Sequence, residues 1–184
     1  MLGAIVVLPS LGKIILIILK IDRIAKLCES CKSEPIREVL MSTNVYKIDS
    51  PTAVIGELAK IFQEKYGAEA LALFKPVLRE YGFHTGSRLR KKMADKNFTD
   101  RVESWLEPIM KTGLGEVVEK GPAHITIRGT NCPLNLDQTN GDLCDTCMCI
   151  DEGLVSALAE KEITLRIDQS IARGDQCCLV TFAM

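Results

Sequence analysis

Four cysteines lie close together in the segment NCPLNLDQTNGDLCDTCMC, which runs from Asn131 to Cys149. Its last part, CDTCMC, combines CxxC and CxC spacings that can bring two thiolates to one metal ion. A tetrahedral zinc site needs two more ligands, which another cysteine or a histidine can supply. The spacing matches no common zinc-finger pattern, so a nucleophile, a disulfide or simple packing remain alternatives. The candidate metal ligands are Cys132, Cys144, Cys147, Cys149 and Cys178.

A thiolate nucleophile is one of these alternatives. Thiolates are stabilised at a helix N-terminus, beside a cation or on a metal, and Cys147 and Cys149 directly precede a predicted helix. Asp151 or Asp145 can then act as a base or as a metal ligand. His84 is one of only two histidines in the chain and can complete a Cys–His dyad. The predicted catalytic residues are Cys147, Asp151 and His84.

The last predicted strand, CCLVTFA, carries two adjacent cysteines, of which one must face the core because side chains alternate across a strand. Cys178 shares a face with Val180 and Phe182, so we expect Cys178 to point inward. If this strand pairs with the strand HITIR, three cysteines approach the same end of the sheet, with Asp151 nearby. These three are Cys132, Cys147 and Cys178.

The composition argues against several classes of function. The chain has 184 residues, is 47% hydrophobic and carries a formal net charge of -1, which suits one globular domain with a sizeable core. This balance provides no electrostatic footprint for nucleic acid. Eight cysteines are too few for a disulfide scaffold, and the N-terminus lacks the features of a secretion signal. We therefore expect a cytoplasmic protein with reduced thiols.

The N-terminal residues 1–45 are predicted to form an apolar extension outside the domain. Pro9 and Gly12 interrupt the apolar stretch, which makes a membrane-spanning helix a poor interpretation. A buried or dimer-facing element and a weak membrane anchor are the alternatives. Residues 46–184 are predicted to form a single domain that folds without the extension.

Helical periodicity dominates the first half of that domain. Ser50 is a predicted N-cap, and Pro51 suits the first turn of a helix. Gly82 is a predicted helix end, Pro76 a predicted kink or turn, and a separate helix is expected over 85–94. Another helix is predicted from about residue 99, with Trp105 among its inward-facing residues.

Alternating patterns replace the helical period after residue 113. Two strands are predicted around the Gly121–Pro122 turn, a short helix follows the cysteine segment, and two more strands end the chain. Helices followed by a small sheet indicate an α+β fold, with N-terminal helices packed on an antiparallel sheet that has one inserted helix. The apolar stripes exceed what one small sheet can cover, so we expect a homodimer formed through the helices.

Several of these segments together resemble the L-2-amino-thiazoline-4-carboxylic acid hydrolase-like family. They are EKYGAEALALFKPVLREYGFHTGSRL (64–89), CPLN, CMCIDE and ARGDQCCLVTF. The family's CP segment falls on Cys132-Pro133, its Cys with an Asp four residues later on Cys147 and Asp151, and its terminal strand on Gly174 to Cys178. The resemblance spans about 51–182. The chain ending also looks like the hydrocarbon-binding domains related to 4-vinyl reductase.

The resemblance implies an α+β domain, commonly dimeric, with a small-molecule pocket between the helices and the sheet. In phenol-sensing relatives, cysteines that include the terminal one, here Cys178, hold a zinc ion, so zinc is a possible cofactor. The other zinc ligands of those sensors do not map, since the approach to the last strand, DQSIARGD, contains no cysteine. We assign ligand binding to His84, Trp105 and Cys178.

Two functions from different classes follow. As an enzyme, the protein hydrolyses a small cyclic amidine such as 2-amino-thiazoline-4-carboxylate. This reaction needs attack by water or thiolate at a polarised carbon and an acid that protonates the leaving nitrogen. As a binding module of the 4-vinyl reductase type, the protein holds a hydrocarbon or aromatic ligand. A polar pocket with an aspartate favours the enzyme, and a closed apolar pocket favours the binding module.

Overall fold

The computed structural model describes residues 50–184, and the predicted extension over 1–45 lies outside these residues. The N-terminal boundary of the predicted single domain therefore stays a prediction. The described part of the chain is an α+β fold in which helices come first and an antiparallel sheet last, as the sequence predicts. It contains five α-helices, four strands and a short 3-10 helix.

The first three helices form the N-terminal half of this region. Helix α1 spans Pro51–Tyr66, α2 spans Ala68–Arg90 and α3 spans Phe98–Lys111. The predicted cap is confirmed, because the Ser50 hydroxyl accepts a hydrogen bond from the Ala53 N–H at 3.1 Å. The Asn97 side chain caps α3 in the same way. Local capping signals therefore place the helix starts correctly.

The predicted end of a helix at Gly82 is wrong, and so is the separate helix over 85–94. Helix α2 continues through both Pro76 and Gly82. Pro76 lies on the exposed side of the helix, where water can satisfy the carbonyl that loses its partner. Gly82 is buried in the helix interior, where it contacts another helix. A glycine that serves helix packing has the same local signature as a glycine that ends a helix.

The four strands form one antiparallel sheet of order β1-β2-β4-β3. Their bounds are Gly115–Lys120 for β1, His124–Gly129 for β2, Thr164–Gln169 for β3 and Cys178–Ala183 for β4. The last strand pairs with HITIR, the condition on which the predicted approach of the three cysteines depends, since Ile125 lies opposite Phe182 and Gly129 opposite Cys178. The segment between β2 and β3 forms two helices instead of the single predicted one. They are α4, Gly141–Cys147, and α5, Cys149–Ala159.

Two apolar clusters fill the interior. The first lies between α3, α5 and the inner face of the sheet, and Ile125, Leu158 and Phe182 are almost fully buried there. The second joins α1, α2 and α4 to the loop after β2, whose Leu136 is completely buried. Met148 and Ile167 pack against both clusters. These two side chains mark where the clusters meet, beside the cysteine segment.

Candidate functional site

The cysteine segment takes its position from α4 and α5. The Asn140 side chain caps α4 by accepting a hydrogen bond from the Leu143 N–H at 2.9 Å. Cys147 is the last residue of α4, and α5 begins two residues later at Cys149. Cys147 therefore precedes a helix, as the sequence predicts, but it also ends another helix, which the sequence did not predict. Carbonyl groups converge at a helix C-terminus, which disfavours a thiolate there.

Four cysteine side chains lie near one another at the junction of the clusters. The Cys144 sulfur accepts a hydrogen bond from the Ser170 hydroxyl at 3.2 Å, and the Cys132 sulfur accepts one from the Leu136 N–H at 3.4 Å. Cys144 and Cys147 are buried. Cys132 interacts electrostatically with the other three thiols. This thiol cluster consists of Cys132, Cys144, Cys147 and Cys178.

Burial keeps the inner thiols of the cluster protonated. It raises the pKa of Cys147 to about 12, and it also raises the pKa of Cys144 and Cys178. A thiol with such a pKa holds very little thiolate at neutral pH, so it is a weak nucleophile. The position of Cys147 thus lends no support to its predicted nucleophilic role, which stays a prediction.

Three carboxyl groups interact with thiols of this cluster, Asp151 with Cys147, Asp145 with Cys144 and Asp137 with Cys178, and Asp151 is the one whose pKa burial raises. It lies in the first turn of α5, and its side chain is half-buried and interacts electrostatically with Cys147. Among residues 50–184, the carboxyl makes no hydrogen bond and no ion pair. Burial raises the pKa of Asp151 to about 7. A carboxyl that is half protonated near neutral pH can both accept and donate a proton, which is what acid–base catalysis requires.

The other predicted site residues lie elsewhere or have packing contacts. His84 is exposed on α2, where its Nε2 lies 3.0 Å from Oε1 of Glu80. Trp105 packs on the first cluster, with its ring edge to face against Phe182 at a centroid distance of 6.3 Å. Cys149 is half-buried, and its thiol donates a hydrogen bond to the Asp145 carbonyl. The structure therefore relates Cys132 electrostatically to Cys144, Cys147 and Cys178, and Cys147 to Asp151. His84 lies apart from them on the exposed side of α2.

Zinc finds no ready ligand set in this arrangement. No three His, Cys, Asp or Glu side chains of residues 50–184 lie close enough together to hold a metal ion. Burial raises the pKa of the Cys144, Cys147 and Cys178 thiols, whereas zinc binds thiolates. Because these residues do not fit the metal, we derive no chemical step through zinc. The zinc hypothesis stays a prediction that the metal content of the purified protein tests.

An open groove with a volume of about 450 Å³ lies on the surface of α3. Its charged groups already have partners. The Lys120 ammonium, for example, donates hydrogen bonds to Asp100 and Glu103, the first at 2.7 Å. The groove shares no residue with the thiol cluster. Its lining residues are Lys96, Asp100, Glu103, Ser104, Glu107 and Met110.

The sequence analysis did not predict the close contact between α2 and α5. Helices α2 and α5 touch through their backbones at Gly82, Gly86 and Gly153. The spacing of Gly82 and Gly86, four residues apart on one helix, is the signal that could have predicted this close contact, because residues at i and i+4 share a helix face.

The fold and the site define a class of small α+β domains in which helices cover one face of a four-stranded antiparallel sheet. Two solved structures share this fold. The phenol-responsive sensory domain of the transcription activator PoxR, with phenol, has a TM-score of 0.52 and 20% identity over 72% of this chain and 73% of that one. A trafficking protein particle complex subunit 3 from Naegleria fowleri, covalently bound to palmitic acid, has a TM-score of 0.50 and 17% identity. That alignment covers 72% of this chain and 91% of the subunit.

The sequence also identifies the family. The model of the L-2-amino-thiazoline-4-carboxylic acid hydrolase family matches residues 49–182, and the chain belongs to this family. No curated protein matches the sequence. Within residues 50–184, every helix is too short or too polar to cross a membrane.

Proposed function

We propose that this protein hydrolyses a small cyclic amidine, such as 2-amino-thiazoline-4-carboxylate, with Asp151 as its acid–base group. The observation that carries the proposal is the half-buried Asp151 carboxyl, which has no hydrogen-bond or ion-pair partner among residues 50–184 and whose pKa burial raises to about 7. Membership of the hydrolase family supports the reaction class. Among residues 50–184, no cationic side chain pairs with the Asp151 carboxyl, so a substrate nitrogen can interact with it without displacing one.

The proposed reaction balances with one water molecule. The Asp151 carboxylate takes a proton from water as the water oxygen bonds to the amidine carbon. The protonated carboxyl donates this proton to the ring nitrogen, so that the carbon–nitrogen double bond becomes a single bond. The carboxylate then takes the second proton of the former water from the new hydroxyl as the carbonyl forms. It passes this proton to the same nitrogen as the single bond breaks, and the nitrogen leaves as a primary amine. Cys147 lies beside the carboxyl as a neutral thiol, and the attacking group is water because burial disfavours the thiolate.

The decisive test compares a variant of Asp151 with a variant of its neighbour Cys147. Asp151→Asn keeps the size of the side chain but cannot transfer a proton, so turnover of 2-amino-thiazoline-4-carboxylate should fall by at least about 100-fold. Cys147→Ser should keep most of the turnover. Mass spectrometry measures the ring-opened product, which is heavier than the substrate by one water. Equal turnover by the wild type and Asp151→Asn would refute the proposal, and loss of turnover in Cys147→Ser alone would point to thiolate catalysis.

A non-catalytic binding module is the second candidate. The apolar surroundings of the thiol cluster, with Met148 and Ile167 next to it, favour an aromatic or hydrocarbon ligand. The fold shared with a sensory domain that was solved with phenol is consistent with this candidate. Calorimetry with phenol as the probe tests it. Binding of phenol by a wild-type protein that opens no ring would support the binding module over the enzyme.

We also propose that the protein forms a homodimer through an apolar face on α1 and α2. Leu73, Val77 and Tyr81 are exposed at intervals of four residues along α2, and their exposed fractions are 74%, 67% and 58%. An exposed apolar patch of this kind is typical of a protein interface. This α1–α2 apolar face consists of Val54, Leu58, Phe62, Tyr66, Leu73, Val77 and Tyr81.

Light scattering at micromolar concentration tests the dimer. We expect a mass of twice the 20.3 kDa of one chain. The substitution Val77→Glu should halve this mass because it places a charge in the apolar face. Lys75→Glu, which changes charge on the same helix outside the face, should leave the dimer intact. A monomeric wild type would contradict the prediction.

A further inference from the structure

The isolation of Asp151 raises the question of what holds its carboxyl in place. No hydrogen bond or ion pair from residues 50–184 reaches the carboxyl. Met148, which precedes α5, makes no capping hydrogen bond through its side chain. The place of the carboxyl therefore depends on the backbone of the first turn of α5, and hence on whatever this turn packs against.

The first turn of α5 rests on the backbone of α2. A Cβ atom built on Gly82 would lie 1.9 Å from the Ile150 carbonyl oxygen, and one built on Gly153 would lie 2.0 Å from the Arg79 carbonyl oxygen. Both distances are far below van der Waals contact, and both obstacles are backbone atoms that cannot rotate away. A methyl group at either position must therefore push the two helices apart.

Asp151 lies between these two contacts in the chain. It follows Ile150 directly and precedes Gly153 by two residues, so it projects from the side of α5 that faces away from α2. Val155 and Leu158, four and seven residues further on, share this side and belong to the cluster above the sheet. A shift of the turn away from α2 therefore moves the carboxyl relative to the thiol cluster and the sheet.

We propose that Gly82 is a positioning residue for Asp151, because it lets the Ile150 carbonyl rest directly on α2 and so fixes where the carboxyl stands. This inference rests on the proposed function, in which Asp151 transfers the proton. Gly86 offers a matched control on the same helix. A Cβ atom there would lie 2.3 Å from the Leu154 carbonyl oxygen, one turn further from Asp151.

The test measures the titration of Asp151 in the full chain by carbon-13 NMR of side-chain carboxyls, with Asp151→Asn identifying the signal. The titratable neighbour of the carboxyl is the Cys147 thiol at the end of α4. Glu152 flanks the carboxyl on α5, and Arg79 of α2 approaches Glu152. In Gly82→Ala, water enters the opened contact, so the midpoint should fall from about 7 by at least about one unit towards the value of an ordinary aspartate. In Gly86→Ala, the midpoint should stay within about 0.3 of the wild type.

The two alanine variants also separate positioning from stability. Both add a methyl group against a backbone carbonyl, so both should lower the unfolding temperature. Equal shifts of the Asp151 midpoint in the two variants, or no shift in Gly82→Ala, would overturn the positioning role. A wild-type midpoint near 4 would instead refute the proposed function, so the two failures are distinguishable.

If Gly82→Ala does not fold, the variant Arg79→Met tests the positioning role in its place. The Arg79 Nε atom lies 3.5 Å from Oε1 of Glu152, the residue after Asp151, and Arg79→Met removes this tie without adding atoms to the helix contact. Loosening of the turn lowers the midpoint of Asp151, whereas the loss of a nearby cation alone would raise it. A lower midpoint would support the positioning role, and an unchanged or higher one would overturn it.

Discussion

Two aspartates in equivalent places on their helices have opposite surroundings. Asp100 lies in the first turn of α3, where its carboxylate accepts hydrogen bonds from Lys120 and from the Asn97 side chain. The hydrogen bond from Lys120 is the main cause that lowers the pKa of Asp100. Asp151 lies in the first turn of α5 without a partner among the described residues, and burial raises its pKa to about 7.

The difference shows which of the two aspartates is suited to acid–base chemistry. In the α3 groove, ionic groups satisfy one another in contact with water, an arrangement that stabilises little and leaves nothing for a ligand to complete. The Asp151 carboxyl beside the thiol cluster has no partner among residues 50–184, so a bound ligand can supply the hydrogen bond that a carboxyl removed from water needs. An ionisable group without a partner among the described residues therefore indicates the functional site of this protein better than a groove that is large enough for a ligand.

The largest expected effect concerns the free energy of unfolding of Asp151→Asn. The pKa of Asp151 is about 7 in the folded state and about 3.8 in the unfolded state, so the unfolded chain loses this proton first as pH rises. The wild type should therefore lose stability between about pH 4 and pH 7, by at most about 4 kcal/mol. Asn carries no proton to lose, so the variant should be more stable at pH 8 by about 2 kcal/mol.

Urea unfolding at pH 4 and pH 8 measures this difference. Wild type and Asp151→Asn should be nearly equal at pH 4, where the carboxyl is protonated in the folded state and largely protonated in the unfolded state. Asp100→Asn is the matched control and should show no gain at pH 8, because Asp100 is paired and ionised. A less stable Asp151→Asn at pH 8 would mean that the carboxylate has a stabilising partner.

An intermediate effect is expected from Cys147→Ala. The Cys147 side chain is 2% exposed, and its removal leaves a small void, so the free energy of unfolding should fall by about 1–2 kcal/mol. Denaturant unfolding measures the loss. The thiol should also resist iodoacetamide at pH 8 in the native wild type, because its pKa is raised to about 12. Rapid labelling of Cys147, identified by peptide mass spectrometry, would show that it is a reactive thiolate.

The smallest effect is expected in the α3 groove. Replacing Lys120 by Met removes the hydrogen bonds to Asp100 and Glu103, but these groups lie at the surface, where water replaces the lost partner. The unfolding free energy at physiological salt should not change measurably. A large loss would show that the groove has a structural role that its exposure conceals.

The sequence predicts the α+β class, the strand pairing and the helix starts well, because each depends on local patterns. The caps at Ser50 and Asn97 and the alternation in the strands need only a few neighbouring residues. Motifs in their correct order also identified the family. In the candidate site, the sequence predicted that Cys132, Cys147 and Cys178 approach one another with Asp151 nearby, and this shared site stays a prediction. Cys132 interacts electrostatically with Cys147 and Cys178, and Cys147 with Asp151.

What only the tertiary structure decides is the chemical state of these groups. Local sequence placed Cys147 at a helix start and so favoured a thiolate, whereas its burial at the end of α4 raises the pKa of the thiol. Gly82 looked like a helix end, yet it continues α2 and lets the Ile150 carbonyl approach. A pKa depends on how much water and charge surround a group, and a close helix contact depends on both partners. Both quantities arise from residues that are distant in sequence, so no local pattern contains them.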